Sequence, residues 1–67
     1  MVHEIQIPET YLNEKEAAQE LGMSVDWLRK RRRLRQGPPF VRFGRAVRYS
    51  RSGLDVWAAA QREEVTK

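Results

Sequence analysis

Apolar positions along the 67-residue chain change period twice, and those changes divide it into elements. Leu12, Ala17, Ala18 and Leu21 recur at helical spacing around Asn13 and Glu16, whose three-residue separation is a capping-box pattern, so a first helix is predicted over about residues 14–21. Leu12 and Ala17 fall where a hydrophobic staple would form, and Gly22 suits the left-handed position that ends a helix. Ser24 is a second N-cap, and Asp26 lies in the first turn that follows, where the helix dipole favours a negative charge. The second helix runs from Val25 to about Arg33, with Val25, Leu28 and the stem of Arg32 inward and Asp26, Arg29, Lys30 and Arg33 outward. Gly37-Pro38-Pro39 prevents any continuation.

From Phe40 the period falls to two, through Phe40-Val41-Arg42-Phe43 and Val47-Arg48-Tyr49 around Gly44-Arg45-Ala46, which is a hairpin signal. A three-residue loop would pair Val41 with Tyr49 and Phe43 with Val47 on one face and set Arg42 against Arg48 on the other. A two-residue turn at Gly44-Arg45 is also legitimate but mixes the faces, so the three-residue register is preferred. Ser52 and Asp55 resemble another capping box, and Leu54, Trp57, Ala58 and Gln61 continue as a helical stripe, giving a third helix over about residues 53–63. Ile5-Gln6-Ile7 before Pro8 is either a short strand or a frayed end, and Arg62 to Lys67 reads as a fraying helix end. The expected class is mainly α with a small β-hairpin: three helices and a wing in a single domain over residues 1–67, with its core over about 11–62.

Size and composition narrow the function. A domain this short leaves little room for a deep substrate pocket. There is no cysteine and only His3 as histidine, so neither a disulfide framework, a metal cluster nor a cofactor is expected. His3 sits near the terminus, and no nucleophile–base pair or paired carboxylates can be placed around a cleft, so an enzyme is not expected. The longest apolar runs, such as Val56 to Ala60, are too short for a membrane span, and a cytoplasmic protein is expected. The net charge of +4 is unevenly spread: residues 1–23 carry one Lys and five Glu, residues 24–53 carry ten Arg or Lys and only Asp26, and the rest is close to balanced. A concentrated positive field favours a polyanion, and a phosphate backbone is the commonest one, although such a field also serves solubility.

Two short helices joined by a tight turn match helix-turn-helix geometry, whose second helix enters the major groove of duplex DNA. The side chains able to face it are Ser24, Asp26, Trp27, Arg29, Lys30 and Arg33. An arginine there can bond guanine O6 and N7 together. Trp27 serves as core or as contact, whereas Trp57 belongs to the core by its place on the third helix's stripe. Arg42 and Arg48, if opposed, repel one another until a phosphate backbone lies between them, and Arg45 at the hairpin tip reaches toward a minor groove.

The run Tyr11-Leu12-Asn13-Glu14-Lys15-Glu16-Ala17-Ala18, then Leu21-Gly22-Met23-Ser24, resembles the start of the excisionase and AlpA-type winged helix-turn-helix proteins, relatives of the MerR group. Gly37-Pro38-Pro39-Phe40-Val41-Arg42-Phe43-Gly44-Arg45, Val47-Arg48-Tyr49 and Leu54-Asp55-Val56-Trp57 look like that family's wing and closing helix, so the resemblance spans about residues 11–60. The chain departs from it at Arg31, where many relatives carry an aromatic that Trp27 would replace, and at Gly53, where an acidic residue is common. The resemblance implies a small phage or mobile-element protein of bacterial setting: a recombination directionality factor that bends attachment-site DNA and directs an integrase toward excision, or a transcriptional regulator. It also implies further copies side by side on DNA. A basic module for RNA or an acidic protein is the reading from a different class.

Overall fold

The computed structural model describes residues 9–62. His3, the Ile5-Gln6-Ile7 segment and the tail after Arg62 lie outside the described residues. The elements run β1 (Tyr11–Leu12), α1 (Glu14–Leu21), α2 (Val25–Leu34), β2 (Val41–Phe43), β3 (Ala46–Ser50) and α3 (Arg51–Ala60). This is the expected mainly α architecture with a hairpin wing, and a small strand before α1 completes an antiparallel sheet of order β1-β3-β2.

Local chemistry explains both helices of the turn unit. Asn13 accepts from the Glu16 amide at 2.8 Å while the Glu16 carboxylate accepts from the Asn13 amide at 2.9 Å, so the capping box closes in both directions. Gly22 adopts the left-handed conformation and its amide closes carbonyls of α1's last turn. Ser24 then caps α2 by accepting from the Trp27 amide at 3.0 Å. The α2 helix runs to Leu34 and ends on Arg35, at φ 57 and ψ 40, a left-handed conformation that costs a residue with a Cβ about 1–2 kcal/mol.

Leu12, Ala17, Ala18, Leu28, Tyr49 and Leu54 form the buried cluster, with Leu21, Val25, Trp27, Phe40 and Val47 packed against it. Ala17 and Ala18 put no bulk on the buried side of α1, so α2 can lay Leu28 close against it. Leu12 does belong to the core, where the staple pattern puts it. Trp57 does not: it is only half-buried and is absent from the residues packed against the cluster. Of the predicted stripe on α3 only Leu54 is buried; Ala58 and Gln61 are exposed and Trp57 is left at the margin of the core.

The hairpin register differs from the preferred one. Val41 pairs with Arg48, Arg42 with Val47 and Phe43 with Ala46, leaving Gly44 and Arg45 as a two-residue turn. Arg42 and Arg48 therefore leave from opposite faces and do not stand opposed. Two features fix this register. Gly44 takes φ 66 at the first central position of the turn, where the twist of a two-residue hairpin needs a positive angle. Tyr49 is also held in register with Leu12 of β1, which buries its ring beside Phe40. Phe43 is consequently 55% exposed, partly shielded by Tyr11, whose ring meets it edge-on at 5.3 Å.

The third helix begins earlier than the Ser52–Asp55 pattern suggests and stops at Ala60, short of residue 63. Its cap is Ser50, whose hydroxyl accepts from the Gly53 amide at 3.0 Å, and Arg51 donates its amide to Thr10 as the sheet ends. The chain thus passes from strand to helix with no loop, and Ser52 is left to bond the Glu9 carboxylate. Glycine at position 53 has a packing reason: a Cβ there would lie 2.7 Å from Ser50 Oγ and 3.2 Å from Pro39 Cγ. A side chain at position 53 would force Ser50 or Pro39 to shift and so disturb this cap.

Candidate nucleic-acid interface

The outward positions of α2 follow from the burial of Leu28. With that side chain fully enclosed, the 100° step of the helix turns Asp26, Arg29, Lys30 and Arg33 to solvent, as the sequence pattern indicates. Ser24 is exposed at the amino end of this surface, its oxygen occupied by the cap but its hydroxyl proton free to donate. The Asp26 side chain is 94% exposed and lies 4.0 Å from Arg29. Trp27 is placed differently. It is half-buried against the core and, with Arg31 and Trp57, lines a groove between α2 and α3, outside the basic surface. The Arg31 guanidinium lies over its ring at 5.3 Å.

The arginines of α2 are not equivalent. Arg29 donates twice to one oxygen of Glu14, from Nε at 3.0 Å and from Nη2 at 2.6 Å. Arg32, largely enclosed, donates to the other Glu14 oxygen at 3.3 Å and to the Tyr49 hydroxyl at 2.9 Å. Arg32 thereby joins α1, α2 and β3, and the buried phenol of Tyr49 has a partner. The hydrogen bond from Arg29, ahead of the attraction of both guanidinium charges, holds the Glu14 carboxyl below its ordinary value, and Glu14 in turn raises Arg29. Nothing in the spacing of Glu14, Arg29 and Arg32 announces this cluster, because it depends on how α1 crosses α2.

Arg29 and Arg32 of this cluster line a basic concavity between α2 and the wing. One recess of about 510 Å³ is lined by Arg29, Arg32, Arg33, Arg35, Phe40 and Arg42. A second, next to it, brings in Lys15, Arg45 and Arg48 from α1 and the hairpin. The guanidinium groups of Arg32 and Arg42 both lie over the Phe40 ring, at 5.8 and 5.6 Å, which orients them without consuming a hydrogen-bond donor. Among the described residues the side chains of Lys30, Arg33, Arg35, Arg42 and Arg45 make no hydrogen bond or ion pair, whereas the Arg48 side chain donates to the carbonyl of Val47 at 2.8 Å. The candidates Arg29, Arg33, Arg42 and Arg45 therefore line two adjoining shallow recesses, with Lys30, Asp26 and Ser24 on the exposed side of α2, whereas Arg48 borders the second recess from a strand position whose side chain leaves the opposite face of the hairpin from Arg42. Arg35, Lys15 and Phe40 line these recesses as well. Arg35 was hidden by its place in a turn, and Phe40 by its apolar character.

Positive charge with free donors on a protruding helix and a neighbouring hairpin tip fits the grooves and backbone of a nucleic-acid duplex far better than a small molecule. Among the described residues no helix is long and apolar enough to cross a membrane. No curated protein and no solved structure matches the chain. The family model for the helix-turn-helix domain does match it, over residues 11–62, from β1 through α3. That match covers all six elements, with α1 and α2 as the two helices of the motif and β2–β3 as its wing, and the chain belongs to the helix-turn-helix domain family, a fold whose members point to DNA as partner.

Proposed function

We propose that this protein is an excisionase-like accessory factor that binds duplex DNA with α2 and the β2–β3 wing, bends it at an attachment site and directs an integrase toward excision. The observation that carries the DNA-binding part is the set of five basic side chains, Lys30, Arg33, Arg35, Arg42 and Arg45, without an acceptor among the described residues. In this reading α2 lies in the major groove, with Arg29 and Lys30 toward base edges and Asp26 able to accept from a cytosine amino group. Arg33 and Arg42 take phosphates, and Arg45, at the turn, lies over the adjacent minor groove. The excision role is supported by the resemblance of residues 11–60 to recombination directionality factors, and several copies side by side would supply the bend.

Selection of sites from a random duplex library at near-physiological salt, followed by footprinting and a bending assay, tests this. Closely spaced direct repeats with enhanced bending support the excision factor. A palindromic pair without bending favours a transcriptional regulator using the same surface. With about five phosphate contacts, log affinity should fall against log salt with a slope near −4.5. A flat salt response, or a preference for RNA, defeats the duplex reading.

A further inference from the structure

Arg35 stands where the backbone asks for a different residue. It occupies the left-handed position that ends α2, at φ 57, and is the only non-glycine residue with a positive φ among the described residues. Glycine takes that conformation freely and asparagine tolerates it through local hydrogen bonding; arginine has neither advantage. Nor does the helix end need this side chain. Its amide, with that of Gln36, already satisfies the carbonyls of Arg31 and Arg32, which any residue's backbone would do. A cation near a helix carboxyl end is favourable, but Arg31, Arg32 and Arg33 provide three in the last turn.

What the side chain does have is a place. It is exposed, makes no hydrogen bond or ion pair among the described residues, and lines the recess with Arg33, Phe40 and Arg42 as well as a smaller hollow with Pro38 and Pro39. An unpaired guanidinium in an unfavourable backbone conformation, beside other guanidinium groups that repel it, is the arrangement expected when an anion supplies the compensation. We propose that Arg35 is a phosphate-binding residue. It borders the recess at the carboxyl end of α2 and takes diester oxygens of a duplex backbone. This rests on the reading that α2 and the wing face duplex DNA.

Three proteins decide it: wild type, Arg35→Gly and Arg35→Lys, each followed by thermal melting and by fluorescence anisotropy on a selected and a random-sequence duplex across a salt series. Arg35→Gly is expected to melt at or above the wild-type temperature, since the backbone is relieved. It should bind both duplexes about five- to tenfold more weakly at low salt, with a salt slope smaller by about 1. Arg35→Lys should keep the wild-type slope and most of the affinity, because an ammonium still meets a phosphate. Unchanged affinity and slope in Arg35→Gly would overturn the proposal, as would a lowered melting temperature, which would make the side chain part of the fold. A loss confined to the selected duplex would also overturn it, by making Arg35 a base contact. Absence of salt-dependent duplex binding by the wild type would instead bring down the DNA reading itself, and this proposal with it.

Discussion

The α2 and α3 helices are built to one plan and do different things. Each has ten residues, each is capped by a serine whose hydroxyl accepts at 3.0 Å from the third residue's amide, and each buries a leucine at its fourth position, Leu28 or Leu54. Each is also tied to α1 by an arginine–glutamate pair, Arg29 with Glu14 and Arg51 with Glu20. They part company at the positions facing away from the core. In α2 these are mostly basic and face a hairpin carrying Arg42 and Arg45; in α3 they are Asp55, Val56 and alanines. Caps and a buried leucine make a helix of the fold. Charge on the remaining side, and what the wing places beside it, makes one of them the candidate interface.

If the structural halves of the two helices are equivalent, Leu28→Ala and Leu54→Ala should cost about the same, roughly 2–5 kcal/mol each, enough to unfold much of so small a protein in a circular-dichroism melt. Trp57→Ala should cost less than either, since its side chain is only half-buried; a larger loss would put Trp57 back in the core. The functional halves should separate sharply. Lys30→Ala should weaken binding to a selected duplex by about 1–3 kcal/mol and relax its specificity, while Arg33→Ala and Arg42→Ala weaken all sequences and each lower the salt slope by about 1. Asp55→Ala on α3 should leave anisotropy titrations unchanged. Removing the caps one at a time, Ser24→Ala against Ser50→Ala, should cost about 1 kcal/mol in each helix, and a marked inequality in urea titrations would show that strand-to-helix continuity holds α3 without its cap.

The smallest effect concerns Glu14. Because Arg29 holds its carboxyl below the ordinary 4.5, the pair stabilises the folded protein above that pH, and the contribution is lost as pH falls through the lowered folded value. Glu14→Gln should remove this acid-side dependence and change stability near neutrality by under about 1 kcal/mol, the pair being at the surface. With the negative charge gone from the lining of the second recess, binding to random-sequence duplex should strengthen relative to the selected site. An unchanged ratio of the two affinities would mean that Glu14 has no part in how Arg29 meets DNA.

Much of the interface was legible one helix at a time. The outward set Asp26, Arg29, Lys30 and Arg33 follows from Leu28 and a 100° step, and both caps of the helix-turn-helix unit follow from Asn13, Glu16, Gly22 and Ser24. What failed involved two elements at once. The hairpin alone favoured separated faces, but Leu12 on β1 holds Tyr49 inward and Gly44 supplies a two-residue turn, so Val41 and Phe43 face out. Ser52 with Asp55 looked like a cap, yet the end of β3 at Ser50 sets where α3 begins.

The sequence by itself determined which segments are helical, where α1 and α2 start, which side of α2 carries charge, and that the basic residues are concentrated in the middle of the chain. Those properties depend on residues within a few positions of one another, where side-chain period, capping and charge act locally. Tertiary structure decided the hairpin register, the demotion of Trp57, the Glu14–Arg29–Arg32 cluster and the recess that Arg35 lines. Each of these is settled by the approach of segments far apart in the chain, where packing of Leu12, Tyr49 and Leu28 in a shared core outweighs the local preference of any one segment.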